Sequence, residues 1–190
     1  MKIITYIFKI LILVVLFYKI SFANIIGKET GLDLPRFISL KSDASNIRVG
    51  PSKNYPISIK YIVKNYPLIV IEEYADWRKV IDFQDNTGWI HKSLIKGERN
   101  GIIISEINKH VYVYNNIFGR IIGEISIGSI VNLPKCKINW CYITKYNYKG
   151  WVKKEYIWGI KDDEVFGIGL YQTVTDYYFK SLTLLENYLD

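Results

Sequence analysis

The chain has 190 residues, of which 49% are hydrophobic and 15% are aromatic. This composition excludes a largely disordered protein, and the length suits two small domains. The net charge is +7, but Lys2, Lys9 and Lys19 lie in an N-terminal segment without acidic residues, so the remainder carries only +4. The chain is also rich in Ile, Lys, Asn and Tyr, which have A+T-rich codons, so its basicity does not indicate a nucleic-acid partner.

Residues 1–23 have the pattern of a secretory signal peptide. A lysine at position 2 precedes an apolar body, and Ser21 and Ala23 place small residues where a signal peptidase cuts. We therefore predict cleavage after Ala23, which leaves a periplasmic or secreted protein that begins at Asn24. The alternative is an uncleaved membrane anchor, since the apolar segment is nearly long enough to span a bilayer.

Short strands follow a polar lead. Residues 24–31 show no apolar periodicity, so we expect them to be flexible. Ile47 and Val49 then alternate with Arg48 before a Gly-Pro pair, which is typical of a half-buried strand with a defined end. We expect residues 52–61, which are polar and aromatic, to form a long irregular loop between the first two strands.

Further strands and hairpins complete a first unit. Apolar and β-branched runs at 68–71 and 80–81 predict strands. Residues that accept turn conformations at 74–77 and 85–88 predict two hairpins. The polar segment 96–101 is then the candidate linker to a second unit.

The pattern appears again 62 to 64 residues later, which indicates an internal repeat. The correspondence pairs 111–114 with 47–50, 140–143 with 77–80, and 150–152 with 88–90. In this alignment Tyr112 replaces Arg48, and Tyr114-Asn115 replaces the Gly-Pro pair. We therefore expect the two copies to differ more in their opening loop than in their central hairpin.

The order of these segments resembles the bacterial SH3 domain, a compact β-barrel of envelope proteins. The resemblance rests on Asn46–Pro51, Trp77–Val80 and Gly88–His91, and Leu34–Lys41 is similar to a segment that precedes the barrel in an exported α-proteobacterial group. It implies an all-β fold of two tandem SH3-like barrels. The predicted barrels span residues 34–96 and 102–160.

Residues 161–190 form a tail outside the resemblance. Apolar side chains recur there at three- and four-residue steps, which predicts a short amphipathic helix. These residues are Tyr171, Val174, Tyr178, Leu182 and Leu185. Such a helix packs against a barrel or binds a partner.

Two cysteines, Cys136 and Cys141, lie five positions apart across a predicted hairpin. In an oxidising compartment this spacing predicts a structural disulfide, which stabilises the fold by roughly 2 kcal/mol. The alternative is a nucleophilic cysteine with His91 or His110, but no peptidase-sized scaffold remains for it. Neither a zinc site, a paired-carboxylate site nor a phosphate-binding loop is evident, so we predict no enzyme, metal or cofactor.

Aromatic and arginine side chains of the first unit are the candidate ligand contacts, because loop aromatics stack on sugars or cover extended peptides, and arginines pair with carboxylates. These residues are Arg48, Tyr55, Tyr74, Trp77 and Arg78. Trp77 can instead belong to the core. Arg48 can instead pair with a neighbour such as Glu72.

The resemblance to bacterial SH3 domains implies a non-catalytic envelope protein that recognises peptidoglycan or its stem peptides. An alternative is a protein-interaction or scaffolding module that grips an extended segment of another envelope protein. We expect no nucleic-acid partner, and membrane attachment only if the N-terminal segment is uncleaved.

Overall fold

The computed structural model describes residues 25–169, and this part of the chain is almost entirely β-strand. Two short 3-10 helices, Lys92–Leu94 and Lys154–Tyr156, are its only helical elements within that range. The predicted all-β fold is thereby confirmed. No helix within 25–169 is long and apolar enough to cross a bilayer. The predicted signal peptide and the predicted helix over 171–185 lie outside the described residues.

The first half of the described chain forms a small hairpin and a seven-stranded sheet. The hairpin pairs β1 (Ile25–Ile26) with β2 (Asp33–Leu34). The sheet has the order β5-β4-β8-β7-β6-β3-β9, with every neighbouring pair antiparallel. Its strands are β3 (Arg36–Leu40), β4 (Ser45–Arg48), β5 (Ile57–Tyr61), β6 (Pro67–Tyr74), β7 (Trp77–Ile81), β8 (Thr87–His91) and β9 (Ile95–Lys96).

The second half forms another seven-stranded antiparallel sheet, in the order β12-β11-β15-β14-β13-β10-β16. Its strands are β10 (Asn100–Ile103), β11 (His110–Tyr114), β12 (Ile121–Ser126), β13 (Ile130–Cys136), β14 (Trp140–Lys145), β15 (Tyr148–Lys153) and β16 (Ile157–Trp158). Each strand has a counterpart at the same place in the first sheet. The chain therefore repeats one topology.

Each sheet buries its own apolar face. The side chains alternate inward and outward along the strands, as the period of two in β-structure requires. The first core is built on β-branched and leucine side chains that include Leu40, Ile47, Leu68, Val80 and Ile90. The second core includes Ile103, Val113, Leu133, Ile143 and Val152. Full burial of each such side chain contributes about 1.5–3 kcal/mol.

Two glycines mark the register of the repeat. A Cβ atom added at Gly88 would lie 2.4 Å from Ile47 Cγ2, and one at Gly150 would lie 2.4 Å from Val113 Cγ1. Each glycine thus lets the opening strand of its sheet pass close by. Ile47 therefore corresponds to Val113, and the offset of the opening strand is 66 residues instead of 64.

The sequence alignment of the opening strand was wrong by two residues. Arg48 pairs with Trp89, and Tyr114 pairs with Trp151, so Tyr114 and not Tyr112 takes the place of Arg48. A shift by two preserves the inward and outward alternation. The apolar pattern by itself therefore fits both alignments equally well.

Two segments predicted to be irregular are ordered by pairing. Ile57–Tyr61, assigned to a loop, forms β5 against β4. The lead 24–31, expected to be flexible, contributes β1 and then contacts the sheet through Glu73. In each case the order comes from contact with a segment elsewhere in the chain, and the local sequence does not reveal that contact.

The predicted linker 96–101 is a junction between the sheets whose last two residues are buried. Asn100 and Gly101 begin β10, and Asn100 is only 2% exposed. The Arg99 guanidinium lies 5.4 Å from the Phe37 ring and 5.5 Å from the Phe166 ring. It also forms an ion pair of 2.6 Å with Glu164. The junction thus joins both sheets to the described start of the tail.

Candidate functional site

Arg48 and Tyr55, two of the predicted ligand contacts, lie together. The Nη1 of Arg48 donates a hydrogen bond of 2.7 Å to the carbonyl of Tyr55. The Tyr55 ring lies over Gly50, where an added Cβ would come within 2.7 Å of it. Glu72, the alternative partner proposed for Arg48, instead pairs with Lys79 at 3.4 Å. Arg48 thus fixes the loop that presents the exposed Tyr55 ring.

The β6–β7 hairpin contains the other three predicted contacts, Tyr74, Trp77 and Arg78, which differ in burial. Tyr74 is 60% exposed, whereas Trp77 is 9% exposed and Arg78 is 4% exposed. Trp77 packs edge-on against His91 with 5.4 Å between ring centroids. Arg78 Nη1 donates hydrogen bonds of 2.8 Å to the carbonyls of Ala75 and Trp77. Of these three, only Tyr74 offers its side chain to a ligand.

A buried carboxylate explains why Arg78 is not at the surface. Glu73 Oε1 lies 3.4 Å from Arg78 Nε and 2.6 Å from Arg36 Nη2. It also accepts from the hydroxyl of Thr30, and its second oxygen accepts from the backbone N–H groups of Glu29 and Thr30. Burial alone would raise the pKa of Glu73, but these hydrogen bonds outweigh burial and lower the pKa to about 2. This cluster anchors the lead segment to the first sheet.

The five predicted contacts therefore form two groups instead of one groove. Arg48 lies on β4 with Tyr55 in the following loop, whereas Tyr74, Trp77 and Arg78 belong to the β6–β7 hairpin. The intervening strand β8 separates β4 from β7. Two inter-strand spacings amount to about 10 Å, so a ligand that reaches both groups must be extended.

The second sheet carries an aromatic row that sequence reasoning did not select. Tyr114 pairs with Trp151, Trp151 with Tyr142, and Tyr142 with Lys135. Tyr142 and Trp151 pack edge-on at 5.4 Å between ring centroids. Lys135 Nζ lies 4.9 Å from the Tyr142 centroid and 5.3 Å from that of Trp151. Trp140 extends the row through its contact with Tyr114 at 5.2 Å.

The corresponding row of the first sheet is mostly charged. It reads Arg48, Trp89, Lys79 and Glu72 across the strands β4, β8, β7 and β6. Only the tryptophan is shared with the second sheet. The two outer faces thus differ in chemistry, although their backbones share one strand order.

A polar cleft lies between the two halves of the chain. Its volume is about 840 Å³, and its walls include residues 63–65 of the first half and 127–130, Asn132 and 144–146 of the second. Asn100, at the junction, lies at its base. No sequence motif pointed to this cleft, because its walls come from segments far apart in the chain.

The two cysteines considered as candidate nucleophiles carry no free thiol. Cys136 and Cys141 are joined in the predicted disulfide, which is confirmed, and both are buried in the second core. Within residues 25–169, no cluster of three His, Cys, Asp or Glu residues could hold a metal ion.

An Asp-His-Ser arrangement lies at the end of β8. The imidazole Nδ1 of His91 lies 2.8 Å from the hydroxyl of Ser93, and Nε2 lies 3.9 Å from Asp76. However, Nδ1 also accepts from the backbone N–H of Ser93 and so caps the following 3-10 helix. Asp76 is bound by Lys92 at 2.8 Å. These contacts give the histidine a structural role.

Two solved structures are distantly similar to this chain. NlpC1 from Trichomonas vaginalis is 12% identical with a TM-score of 0.28, over 70% of this chain and 48% of its own. An NlpC/P60 family protein from Bacillus cereus is 10% identical with a TM-score of 0.29, over 64% of this chain and 55% of its own. The chain thus spans about half the length of these proteins.

No curated protein matches the sequence. A family model does match part of it, over residues 41–97. This range begins just before β4 and ends just after β9, so it contains six of the seven strands of the first sheet. The model is described as the bacterial SH3 domain, so residues 41–97 of this chain are similar to that domain.

Proposed function

We propose that the protein is an exported, non-catalytic binding protein that recognises peptidoglycan or its stem peptides in the cell envelope. The observation that carries this proposal is the match of residues 41–97 to the bacterial SH3 domain. Export is proposed from the signal-like N-terminal segment. The disulfide between Cys136 and Cys141 supports it, since disulfides persist in oxidising compartments.

The first sheet offers Tyr55 and Tyr74 as ligand contacts. Both rings are exposed, at 46% and 60%, and a tyrosine supplies stacking area at low entropic cost. Arg48 holds the Tyr55 loop in place through its hydrogen bond to the Tyr55 carbonyl. The buried Trp77 and Arg78 act through the hairpin that they stabilise, and they do not touch the ligand in this proposal.

The absence of turnover is proposed because the candidate nucleophiles are occupied. Both cysteines are consumed by the disulfide, and a thiolate is required for attack. The His91 lone pair serves the cap of a 3-10 helix, so it does not act as a base for Ser93.

A pull-down with purified, protein-free sacculi tests the proposal. The mature protein should sediment with sacculi, and the Tyr55→Ala/Tyr74→Ala variant should not. Its melting temperature should stay within about 2 °C of wild type, as surface substitutions usually allow. Tyr112→Ala, at a similarly exposed position of the second sheet, is the matched control and should bind as wild type does. Folded wild-type protein that ignores sacculi would overturn the proposal.

One observation favours the scaffolding alternative. β12 lies at the edge of the second sheet, and Ile121 and Ile122 on it are each 49% exposed. An exposed apolar edge can accept an extended peptide as an additional strand. Wild-type protein that captures one envelope protein, and loses it on Ile122→Lys substitution, would establish this role.

A further inference from the structure

Two hairpin loops lie side by side at one end of the second sheet. One is the β11–β12 loop, residues 115–120, and the other is the β14–β15 turn, residues 146–147. Tyr114, which ends β11, pairs with Trp151 on the antiparallel strand β15. The loop follows Tyr114 and the turn precedes Trp151, so the register places both at the same end of the sheet.

Exposed apolar side chains are concentrated at this end. Phe118 is 94% exposed, Tyr146 97%, Tyr148 59% and Ile122 49%. A Cβ atom added at Gly123 would lie 3.3 Å from the Tyr148 ring, so the two hairpins are in contact. We call the four exposed residues the apolar tip. Large apolar groups exposed together on a protein mark an interaction surface.

Three cationic side chains flank the apolar tip. Arg120 ends the β11–β12 loop, and Lys145 and Lys149 lie on either side of the β14–β15 turn. None of the three forms an ion pair with any residue in the range 25–169. The only acidic residue in the two hairpins is Glu124, two positions beyond Ile122 along β12. The tip therefore carries positive charge that the protein does not balance.

The corresponding end of the first sheet has a polar residue in place of an apolar one. A Cβ atom added at Gly150 would lie 3.3 Å from Ile122 Cδ1, and one added at Gly88 would lie 3.3 Å from Ser58 Oγ. Ser58 thus takes the place of Ile122. Its hydroxyl donates a hydrogen bond of 3.2 Å to the carbonyl of Ile47, so this polar group is satisfied within the first sheet.

The charge at this end also differs between the copies. Asp82 in the first sheet corresponds to Lys145 in the second, because each lies two residues after the strand partner of its glycine. The Asp82 carboxylate accepts from the backbone N–H groups of Gln84 and Asn86, at 2.8 and 2.9 Å. The first copy therefore shows that the fold does not require an exposed apolar and basic end.

We infer that the apolar tip binds the surface of a membrane that contains anionic lipids. Side chains as exposed as Phe118 and Tyr146 do not enclose a small ligand, so the partner must supply the apolar surroundings. A bilayer interface accepts Phe and Tyr rings, and anionic headgroups attract the cations beside them. The inference does not depend on the proposed function. It attaches the mature protein to a membrane without the N-terminal segment.

Flotation of the mature protein, which begins at Asn24, with lipid vesicles tests this inference. The protein should float with vesicles made of equal parts phosphatidylglycerol and phosphatidylcholine. Its affinity for vesicles of phosphatidylcholine alone should be weaker by about tenfold or more. An increase in salt from about 0.1 M to about 1 M should also weaken binding, because the Debye length falls from about 10 Å to about 3 Å.

A substitution of one exposed ring tests the apolar contribution. Phe118→Ser should weaken binding to the anionic vesicles about tenfold, since it removes a side chain that enters the interface. Ile107→Ser is the matched control, because Ile107 is 92% exposed and precedes β11 at the opposite end of that strand. It should change affinity less than about twofold. Both melting temperatures should stay within about 2 °C of wild type.

A triple substitution tests the contribution of the cations. Each cation removed should weaken binding to the anionic vesicles about fivefold. The substitutions are Arg120→Gln, Lys145→Gln and Lys149→Gln. The matched control removes three exposed lysines from the first half of the chain and so lowers the net charge equally. Its substitutions are Lys28→Gln, Lys53→Gln and Lys60→Gln, and they should together change affinity less than about twofold.

The outcomes separate this inference from the proposed function. Wild-type protein that ignores the anionic vesicles, or binds neutral ones equally well, overturns the inference. Vesicle binding that Phe118→Ser or the cation variant retains in full also overturns it. Cross-linked dimers that Phe118→Ser abolishes, in protein that ignores vesicles, would assign the tip to a second copy of this chain instead. Phe118→Ser should still sediment with sacculi. Wild-type protein that floats with vesicles but ignores sacculi supports the inference and overturns the proposed function.

Discussion

Replacement of Glu73 by glutamine tests whether one carboxylate anchors the lead segment to the first sheet. Its side chain is 1% exposed, and its pKa falls from 4.5 to about 2. At 1.36 kcal/mol per pKa unit, the ionised carboxylate contributes about 3 kcal/mol of stability at neutral pH. Because the pKa in the folded state is lowered, this stability is present above pH 4.5 and is lost as pH falls toward 2.

We expect Glu73→Gln to be about 3 kcal/mol less stable than wild type at neutral pH, since it leaves Arg78 buried without a counter-charge. Urea unfolding followed by tryptophan fluorescence measures this difference. At about pH 3 the gap should shrink by roughly half, because much of the wild-type contribution is then lost.

The neighbouring Glu72→Gln is the matched control. Its carboxylate is 55% exposed and pairs with Lys79 at 3.4 Å, so its loss should cost less than about 1 kcal/mol. Equal losses in the two variants, or a Glu73→Gln gap that does not change with pH, would refute the assignment of Glu73 as the anchor.

Two further predictions concern cross-links in the second half. Reduction of the Cys136–Cys141 disulfide should lower stability by roughly 2 kcal/mol, and alkylation with mass spectrometry should find no free thiol before reduction. Two freely alkylated thiols in the native protein would contradict this. Arg99→Ala removes the 2.6 Å ion pair with Glu164 and should lower the free energy of unfolding by about 2 kcal/mol. In calorimetry, this variant should unfold in two transitions where the wild type unfolds in one. Lys153→Ala breaks the exposed ion pair with Glu155 and should still unfold in one transition. A single transition in both variants would contradict the claim that Arg99 couples the two sheets.

The elements predictable from the sequence were those set by local patterns. The alternation of Ile47 with Arg48 predicted a strand that the structure contains, although Val49, taken as part of the same alternation, lies beyond β4 and is 59% exposed. The turn residues before Trp77 and Trp89 predicted the hairpins of the first sheet, because neighbouring positions carry that information. The spacing of Cys136 and Cys141 likewise predicted their bond. In each case the decisive residues lie close together in the chain.

Arg78 shows where local reasoning fails. Its position beside a turn suggested an accessible guanidinium, but Glu73 lies directly opposite it across the hairpin. That carboxylate also gathers Arg36 and Thr30, which lie 37 and 43 residues away in the chain. The burial of a charged residue depends on such partners, and a pattern of neighbours does not contain them.

The candidate surfaces of the second half were missed for a related reason. Trp140 and Tyr142 alternate on one strand, and this signal could have found the aromatic row. The place of Tyr114 beside it required the corrected register. The cleft near Asn65 and Asn100 depends on how the two sheets pack, which no single segment specifies.

The two copies place different residues at the same pair of facing positions in the hairpin. Cys136 and Cys141 are paired across the hairpin of the second sheet as Glu73 and Arg78 are in the first. The residues at these paired positions are buried in both copies, and an unpartnered polar group at a buried position is costly. An ion pair and a disulfide both meet this requirement, so the repeat keeps its backbone while the residues change.

Each cross-link also adjoins a segment outside its sheet. Glu73 uses its carboxylate to bind the backbone N–H groups of Glu29 and Thr30 in the lead. Cys136, whose side chain is occupied by the disulfide, exchanges two backbone hydrogen bonds with Phe166, of 2.9 and 3.1 Å. The same position therefore holds the segment before the first sheet and the segment after the second.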